Sequence, residues 1–330
     1  MRRLITTLFV SLLLGLGCGP KMEKTPRRMN KEPEPPPAVP ARRNVPIDPT
    51  LQQEAKKELM TAVESSDPLI RAHAIEALRD TLGVDAAGTI IKHLSDDGAI
   101  VRFASAVAAG ELRLAQAKST LLVMSDDADP SVQIGAKFAL HRLGDTRQSH
   151  DLERTAIDMN PRTRGDTAMV LGLLGEPSAV KILAPMIYDK NEAVRLQAAE
   201  ALWRLGDERG LNELVGASIS QFPDLQMVAI LGLAAPRDRR ALGHIEGQLT
   251  GTYDEVNLIA ARAAGMLGSD AGYGVALKGI KSPLARQKTL AALAFGAIGR
   301  PDAQEYLAPL LKDADADVRL CAAKALLQLK

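Results

Sequence analysis

The sequence predicts an all-α protein, an α-solenoid built as a superhelical stack of about nine helical hairpins. One residue pattern recurs about every thirty-one residues, its apolar positions have helical spacing, and its copies carry signals for helix starts and stops. A short helical pair cannot bury its apolar face alone, so such copies have to stack on one another. No run of alternating β-branched residues is present, and no sheet is expected.

The repeat is clearest over residues 191–207, N-E-A-V-R-L-Q-A-A-E-A-L-W-R-L-G-D. Steps of about thirty-one residues from its arginine define a column with seven regular members: Arg71, Arg102, Gln133, Arg164, Arg195, Gln226 and Asn257. Beyond Asn257 we expect one short insertion near residues 282–300. Arg286 or Gln287 would then be the eighth member and Arg319 the ninth.

Each copy predicts one buried helix. Apolar or small residues stand one position before the column residue and three, six and seven positions after it. These offsets place them on one helical face. Four residues before the column stand side chains suited to N-caps, Asp67, Asp129, Asn160, Asn191, Ser282 and Asp315, and Pro68, Pro130, Pro161 and Pro283 follow four of them. Leu-Gly pairs, or Ile-Gly, predict helix stops at Gly83, Gly144, Gly175, Gly206, Gly268 and Gly299.

About fifteen residues separate each stop from the next cap, as around residues 178–188. This is enough for one further helix, so the predicted unit is a helical hairpin.

The pattern D/N-P-x-V-R-x-x-A-A-x-A-L-x-x-L-G-D resembles the short HEAT-like repeat of the phycobilin-lyase type, from about residue 51 to residue 330. The resemblance implies a stack with a long concave surface and says little about activity. Bilin lyases share the repeat, so a bilin-lyase-like enzyme or cofactor-handling protein is the alternative to a binding scaffold. A purely structural spacer is a third interpretation.

The first residues predict export. Residues 1–17 have a basic start, an apolar run too short to span a bilayer and small residues at the end, as in a signal peptide. Leu14-Gly15-Leu16-Gly17-Cys18 resembles the lipobox of bacterial lipoproteins. This resemblance implies acylation of Cys18, which would anchor the protein to a membrane, with the outer membrane facing the periplasm as the expected location. An ordinary signal peptide is the alternative.

The predicted domains follow from composition. After the signal peptide of residues 1–17, residues 18–49 comprise the lipid-attachment cysteine and a Pro-rich, charged linker expected to be disordered. Residues 50–330 form the repeat domain. With a net charge of +1 for the whole chain and a mildly acidic repeat region, no nucleic-acid partner is expected.

No catalytic, cofactor-binding or metal site is predicted. The five histidines are scattered over different units, and His73 with Glu76 would supply only two ligands on one helix. The sequence offers no Ser-His-Asp or Cys-His set and no phosphate-binding loop. Cys321 is interpreted as a packed thiol.

Two sets of residues are assigned to stacking and to binding. The arginine column is interpreted as a ladder that pairs with cap carboxylates of adjacent units, and ligand binding is its alternative role. A protein-binding patch is predicted at Phe138, Met169, Trp203 and Leu231, since large apolar side chains anchor interfaces. Core packing of these four is the alternative. The predicted function is thus a non-enzymatic scaffold or adaptor for an unknown protein partner.

Overall fold

The structure, a computed structural model, describes residues 38–147 and 150–330. Within these ranges the chain forms helices joined by short turns and has no β-strand. The predicted all-α class is therefore confirmed. The signal peptide, Cys18 and residues 19–37 lie outside the described residues.

Eighteen α-helices follow one another in the described ranges. We number them α1 Pro49–Ala62, α2 Pro68–Thr81, α3 Ala87–Lys92, α4 Ala99–Glu111, α5 Lys118–Met124, α6 Pro130–Arg142, α7 His150–Thr155, α8 Pro161–Leu174, α9 Val180–Met186, α10 Glu192–Arg204, α11 Glu208–Ser218, α12 Pro223–Ala234, α13 Leu242–Glu246, α14 Asp254–Met266, α15 Tyr273–Gly279, α16 Ala285–Ile298, α17 Gln304–Leu307 and α18 Ala316–Gln328. Short 3-10 turns precede or follow several of the odd-numbered helices: Gly83–Ala86, His93–Ser95, Ala115–Ala117, Pro177–Ala179, Arg239–Ala241, Pro301–Ala303 and Ala308–Lys312.

Each odd-numbered helix is the first helix of a hairpin and each even-numbered helix the second. The second helices begin at residues 68, 99, 130, 161, 192, 223, 254, 285 and 316, always thirty-one residues apart. The insertion predicted near residues 282–300 is therefore wrong.

The eighth member of the column is Lys288, not Arg286 or Gln287. Its ammonium group lies 2.7 Å from the carboxylate of Asp313, the kind of pair that the arginines of the column form. The predicted cap at Ser282 is also displaced, because α16 begins at Ala285 and Leu284 is its N-cap residue.

The other start and stop signals act as predicted. The side chains of five residues accept a hydrogen bond from an amide of the helix that follows: Asp67, Asp129, Asn160, Asn191 and Asp315. All six predicted stop glycines have a positive φ, between 58° at Gly83 and 90° at Gly144. A left-handed φ costs glycine little, so these residues end the helices without strain.

The described residues divide into two compact units. One unit is Leu59–Glu213, in which the successive second helices α2, α4, α6, α8 and α10 pack against one another. Small side chains permit close approach: a Cβ placed on Gly172 of α8 would lie 2.8 Å from the Cα of Ala201 in α10. The core of this unit is almost entirely aliphatic and alanine-rich.

The other unit comprises residues 38–58 and Leu214–Lys330. Its second helices α12, α14, α16 and α18 also pack in succession. Residues 38–48 belong to the segment expected to be a disordered linker, yet here they lie on the last hairpin. Arg300 donates hydrogen bonds to the carbonyls of Pro40 and Ala41 at 3.0 and 3.1 Å. Proline removes backbone donors but leaves these carbonyls free to accept.

Candidate protein-binding surface

Three arginines of the column, Arg71, Arg102 and Arg164, form a ladder of ion pairs between neighbouring repeats. Arg164 shows its geometry: Nε and one terminal nitrogen donate to the two carboxylate oxygens of Asp189, at 2.6 and 2.7 Å. The other terminal nitrogen donates to the carbonyls of Asp158 and Met159, at 2.7 and 3.2 Å. The guanidinium thus joins the turn before its own helix to the equivalent turn of the next repeat.

The carboxylate partner stands two residues before the N-cap of the next second helix, not at the cap itself. The same spacing of twenty-five residues recurs in Arg71–Asp96, Arg102–Asp127, Arg164–Asp189 and Lys288–Asp313. Hydrogen bonds from Arg164 lower the pKa of the Asp189 carboxyl, and burial raises it. The effect of Arg164 is larger, so this pKa is below its usual value. The pair is therefore ionised at neutral pH.

Three large apolar side chains are exposed in the turns that this ladder joins. Ile157 is 83% exposed, Met159 is 89% exposed, and Tyr188 is 81% exposed. Ile157 and Tyr188 occupy equivalent positions, one repeat period apart, each just after a short first helix. We call Ile157, Met159 and Tyr188 the apolar edge of the first unit.

The ladder holds the apolar edge in place. Arg164 binds the carbonyl of Met159 on one turn and the carboxylate of Asp189, the neighbour of Tyr188, on the next. Because the Arg164 side chain is only 7% exposed, this connection is largely shielded from water. Two exposed turns are thereby fixed relative to each other, which lowers the entropy cost of binding a partner.

The four residues predicted as a contact patch are buried. Phe138, Met169, Trp203 and Leu231 are all at most 3% exposed, so in this structure they cannot form an exposed surface. For Phe138 the physical reason is the preceding repeat: a Cβ placed on Gly110 of α4 would lie 2.8 Å from the Phe138 ring. Core packing, the alternative left open by the sequence, is the placement observed.

A sequence signal for the apolar edge did exist. The residues one to three positions before an N-cap lie in a turn and are ordinarily polar, and Ile157, Met159 and Tyr188 depart from that expectation in two consecutive repeats. The apolar pattern of the helix faces carries no information about residues that lie in the turns.

Charged side chains near the ends of the second helices form ion pairs inside the first unit. Arg79 donates to Asp80 at 2.7 Å and to Glu111 at 2.6 Å, with its own side chain 4% exposed. Burial lowers the pKa of Arg79, but the carboxylates of Asp80 and Glu111 outweigh burial and hold that pKa above its usual value. Glu200 and Arg204 pair at 3.1 Å. Burial raises the pKa of Glu111 and of Glu200 even beside these arginines, and such buried pairs are common in structural networks.

Asp166 is a buried carboxyl with a different environment. It accepts a hydrogen bond of 2.5 Å from the hydroxyl of Ser131, and Arg162 lies 3.8 Å away. Burial raises the pKa of Asp166 to about 6. The Ser131 hydroxyl and this carboxyl lack the histidine that would complete a catalytic triad, since no histidine bonds either of them in the described structure.

A small cleft lies in the second unit, beside α14 and α15. Its volume is about 190 Å³, and it is lined by Asp254, Leu258, Val275, Lys278, Gly279, Lys281, Ser282 and Gln287. Ligand pockets commonly measure about 300–1,000 Å³. The cleft is thus smaller than a typical cofactor pocket.

Within residues 38–147 and 150–330, no cluster of three or more histidine, cysteine, aspartate or glutamate residues could bind a metal ion. No helix in these ranges combines the length and apolar character needed to span a bilayer.

Comparison with known families identifies the repeat. The family described as HEAT repeats matches residues 56–141 and 149–234, which is more than half of the chain. No curated protein matches the sequence.

Solved structures with a similar fold include proteins of several kinds. The complex of CpcE and CpcF of phycocyanin lyase from Nostoc sp. PCC7120 is 20% identical with a TM-score of 0.42, over 72% of this chain and 97% of that chain. Human deoxyhypusine hydroxylase is 20% identical with a TM-score of 0.38, over 75% and 96%. Kap95p, described in its binding to RanGDP, is 11% identical with a TM-score of 0.38, over 81% and 44%.

Proposed function

The chain belongs to the HEAT repeat family, and from that premise we propose that it is a non-enzymatic scaffold that binds a protein partner through the apolar edge of its first unit. The exposure of Ile157, Met159 and Tyr188 is the observation that carries this proposal. Single exposed apolar residues are normal, but a group of them in adjacent turns indicates an interaction site, and tyrosine is enriched among the residues that dominate binding energy. The partner would present an apolar segment.

The site geometry favours binding over catalysis. The ion pairs of Arg79 with Asp80 and Glu111 are compensated within the protein, and the cleft beside α14 and α15 has only about 190 Å³. The cleft is lined by polar side chains, among them Asp254, Lys278 and Gln287, but it is smaller than the pockets that typically hold a substrate or a tetrapyrrole. A bilin-lyase-like activity therefore has no specific observation in its favour.

We further propose that the scaffold is held in the bacterial envelope by acyl chains on Cys18, on the outer membrane facing the periplasm. The lipobox resemblance of residues 14–18 supports this proposal, as does the Pro-rich composition of the residues that follow. A scaffold tethered in this way would gather its partner at the membrane surface.

Site-specific crosslinking tests the binding surface. A photoreactive phenylalanine analogue placed at Tyr188 should crosslink one discrete protein in cells, whereas the same analogue at Val84 should not. Val84 is 65% exposed in the same unit but lies outside the apolar edge. Crosslinks of equal intensity from both positions, or none from Tyr188, would rule out the apolar edge.

The crosslinked partner, once purified, permits a quantitative test. Tyr188→Ser should weaken its affinity about tenfold or more, the effect expected of a central interface residue. Val84→Ser serves as the matched control and should leave the affinity unchanged.

Cys18→Ala tests the anchor separately. The variant should lose the mass of the acyl chains and move from the membrane fraction to the soluble fraction. If the wild-type chain carries no lipid, the anchor is refuted while the binding surface stands.

A further inference from the structure

The last hairpin of the second unit contacts residues from the start of the described chain. Arg319, the ninth member of the column, pairs with Glu58 of α1, whose carboxylate lies 2.8 Å from Nε of Arg319. The two residues are 261 positions apart in sequence, whereas the other pairs of the ladder are twenty-five apart.

Arg300 is the centre of a second contact with this early segment. Its side chain is 1% exposed and pairs with Asp302 at 2.7 Å, while its guanidinium lies 4.0 Å from the ring centre of Tyr273. From this fixed position it donates to two consecutive carbonyls, those of Pro40 and Ala41. A buried guanidinium held on both sides is a preorganised donor.

Two further side chains of the hairpin form hydrogen bonds with the backbone of the same segment. Asp302 accepts a hydrogen bond from the amide of Arg43 at 3.2 Å. Gln304 donates to the carbonyl of Pro46 at 2.8 Å and accepts from the amide of Asp48 at 2.9 Å. Together with Arg300, these side chains satisfy backbone groups along the stretch from residue 40 to residue 48, which has no regular secondary structure.

One contact depends on the identity of a side chain. The guanidinium of Arg43 forms an ion pair with the carboxylate of Glu305 and lies 3.9 Å from that of Asp302. The neighbouring Arg42 is also exposed but makes no hydrogen bond or ion pair in the described structure. The hairpin therefore distinguishes two adjacent arginines by position.

We propose that this face of the last hairpin is a docking site for an extended, proline-bracketed peptide with a central arginine, and that residues 40–48 of the same chain occupy it as an internal strap. Arg300, Asp302 and Gln304 would bind the peptide backbone, and Glu305 would select the arginine. Prolines at positions 40 and 46 limit the unbound conformations of the strap, so that less entropy is lost on docking.

The proposal has a direct consequence for the Pro-rich segment. Docking fixes the point at which the chain leaves the repeat domain at about residue 40, whereas the sequence places it at residue 49. Because the strap is covalently attached, its effective concentration at the site is about millimolar. A weak site of this kind would stay filled in cis and exclude an external peptide.

Hydrogen exchange on the full chain in detergent tests the strap. In the wild type, the amides of Arg43 and Asp48 should exchange about tenfold or more slowly than in an unstructured peptide. Glu305→Arg should remove this protection at Arg43, because it places a second cation beside the Arg43 guanidinium. R42E is the matched control and should keep full protection.

A peptide of residues 38–49 tests the site itself. It should bind the full-chain variant R43E, whose own strap is released, about tenfold or more tightly than it binds the wild type. Both Arg43 and Glu305 are about half exposed, so these variants should fold, which circular dichroism verifies. Fast exchange of the Arg43 and Asp48 amides in the wild type would overturn the proposal. So would protection of Arg43 that is unchanged in Glu305→Arg, or a peptide that fails to bind R43E.

Discussion

Arg164 and Asp189 form a bidentate ion pair at 2.6 and 2.7 Å between consecutive repeats, with both side chains at most 11% exposed. Arg164→Met should lower the free energy of unfolding by about 2–4 kcal/mol, because the change leaves a shielded carboxylate and two carbonyls without their cationic donor. Urea unfolding followed by far-UV circular dichroism measures this change.

Arg195→Met is the control for that substitution. Arg195 stands in the same column but is 30% exposed, pairs with Glu192 at 3.4 Å and binds one carbonyl, that of Asp189. Arg195→Met should lower the free energy of unfolding by less than about 1 kcal/mol. Equal effects of the two variants would contradict a special role of the Arg164 pair.

Gly172→Ala should destabilise the first unit by about 1–3 kcal/mol, because the new methyl group would lie 2.8 Å from both Cα and Cβ of Ala201 and force α8 and α10 apart. Gly165→Ala in the same helix is the matched control. Nothing lies within 4 Å of its added Cβ, so alanine there should be neutral or should stabilise by up to about 1 kcal/mol. Thermal unfolding distinguishes the two, and a stable Gly172→Ala protein would show that the helices can separate without cost.

The features that sequence predicted well are those set by local residues. Asp67 accepts from an amide two positions away, and Gly83 adopts its left-handed φ at the predicted stop. Helix starts, stops and the repeat period follow from such short-range effects, which leave a signal in every copy. Lys288 makes the same pair as the arginines, but the other members of the column are Arg, Gln or Asn, so the pattern alone favours the adjacent Arg286 or Gln287.

The features that sequence missed depend on distant neighbours. Trp203 could be assigned to a surface or to a core only by knowing how tightly consecutive helices approach, and the structure shows it 2% exposed. The docking of Pro40 on Arg300 joins residues 260 positions apart. Composition alone indicates an extended segment there but carries no information about what the segment contacts.

Cys321 should be unreactive in the folded protein. Burial raises the pKa of its thiol to about 12, so the thiolate, which is the reactive form, is scarce at neutral pH. Alkylation at pH 8 followed by peptide mass spectrometry should find residue 321 unmodified in the native chain and fully modified in guanidinium chloride. Rapid labelling in the native state would indicate that α18 opens readily.

Asp166 should make stability depend on pH. Its folded-state pKa of about 6 is above the ordinary value of about 3.9 in an unfolded chain, so the folded protein holds this proton more tightly. The stabilising contribution of Asp166 to the free energy of unfolding is therefore fully present below about pH 4 and is lost as the pH rises through about 6. At pH 7 the ionised carboxylate destabilises the fold.

Asp166→Asn tests this sign, because the amide is neutral at every pH and its oxygen can still accept from Ser131. Above pH 6 the variant should exceed the wild type in free energy of unfolding by about 1–3 kcal/mol, and the difference should vanish near pH 4. Urea titrations between pH 4 and pH 8 measure this difference, in which the contributions of the other titrating groups cancel.

Ser131→Ala provides a second variant. Since the Ser131 hydrogen bond lowers the pKa of Asp166, its removal should move the midpoint of the pH dependence to a higher pH than in the wild type. A difference that is constant with pH would mean that Asp166 is ionised throughout this range and that burial does not control its charge.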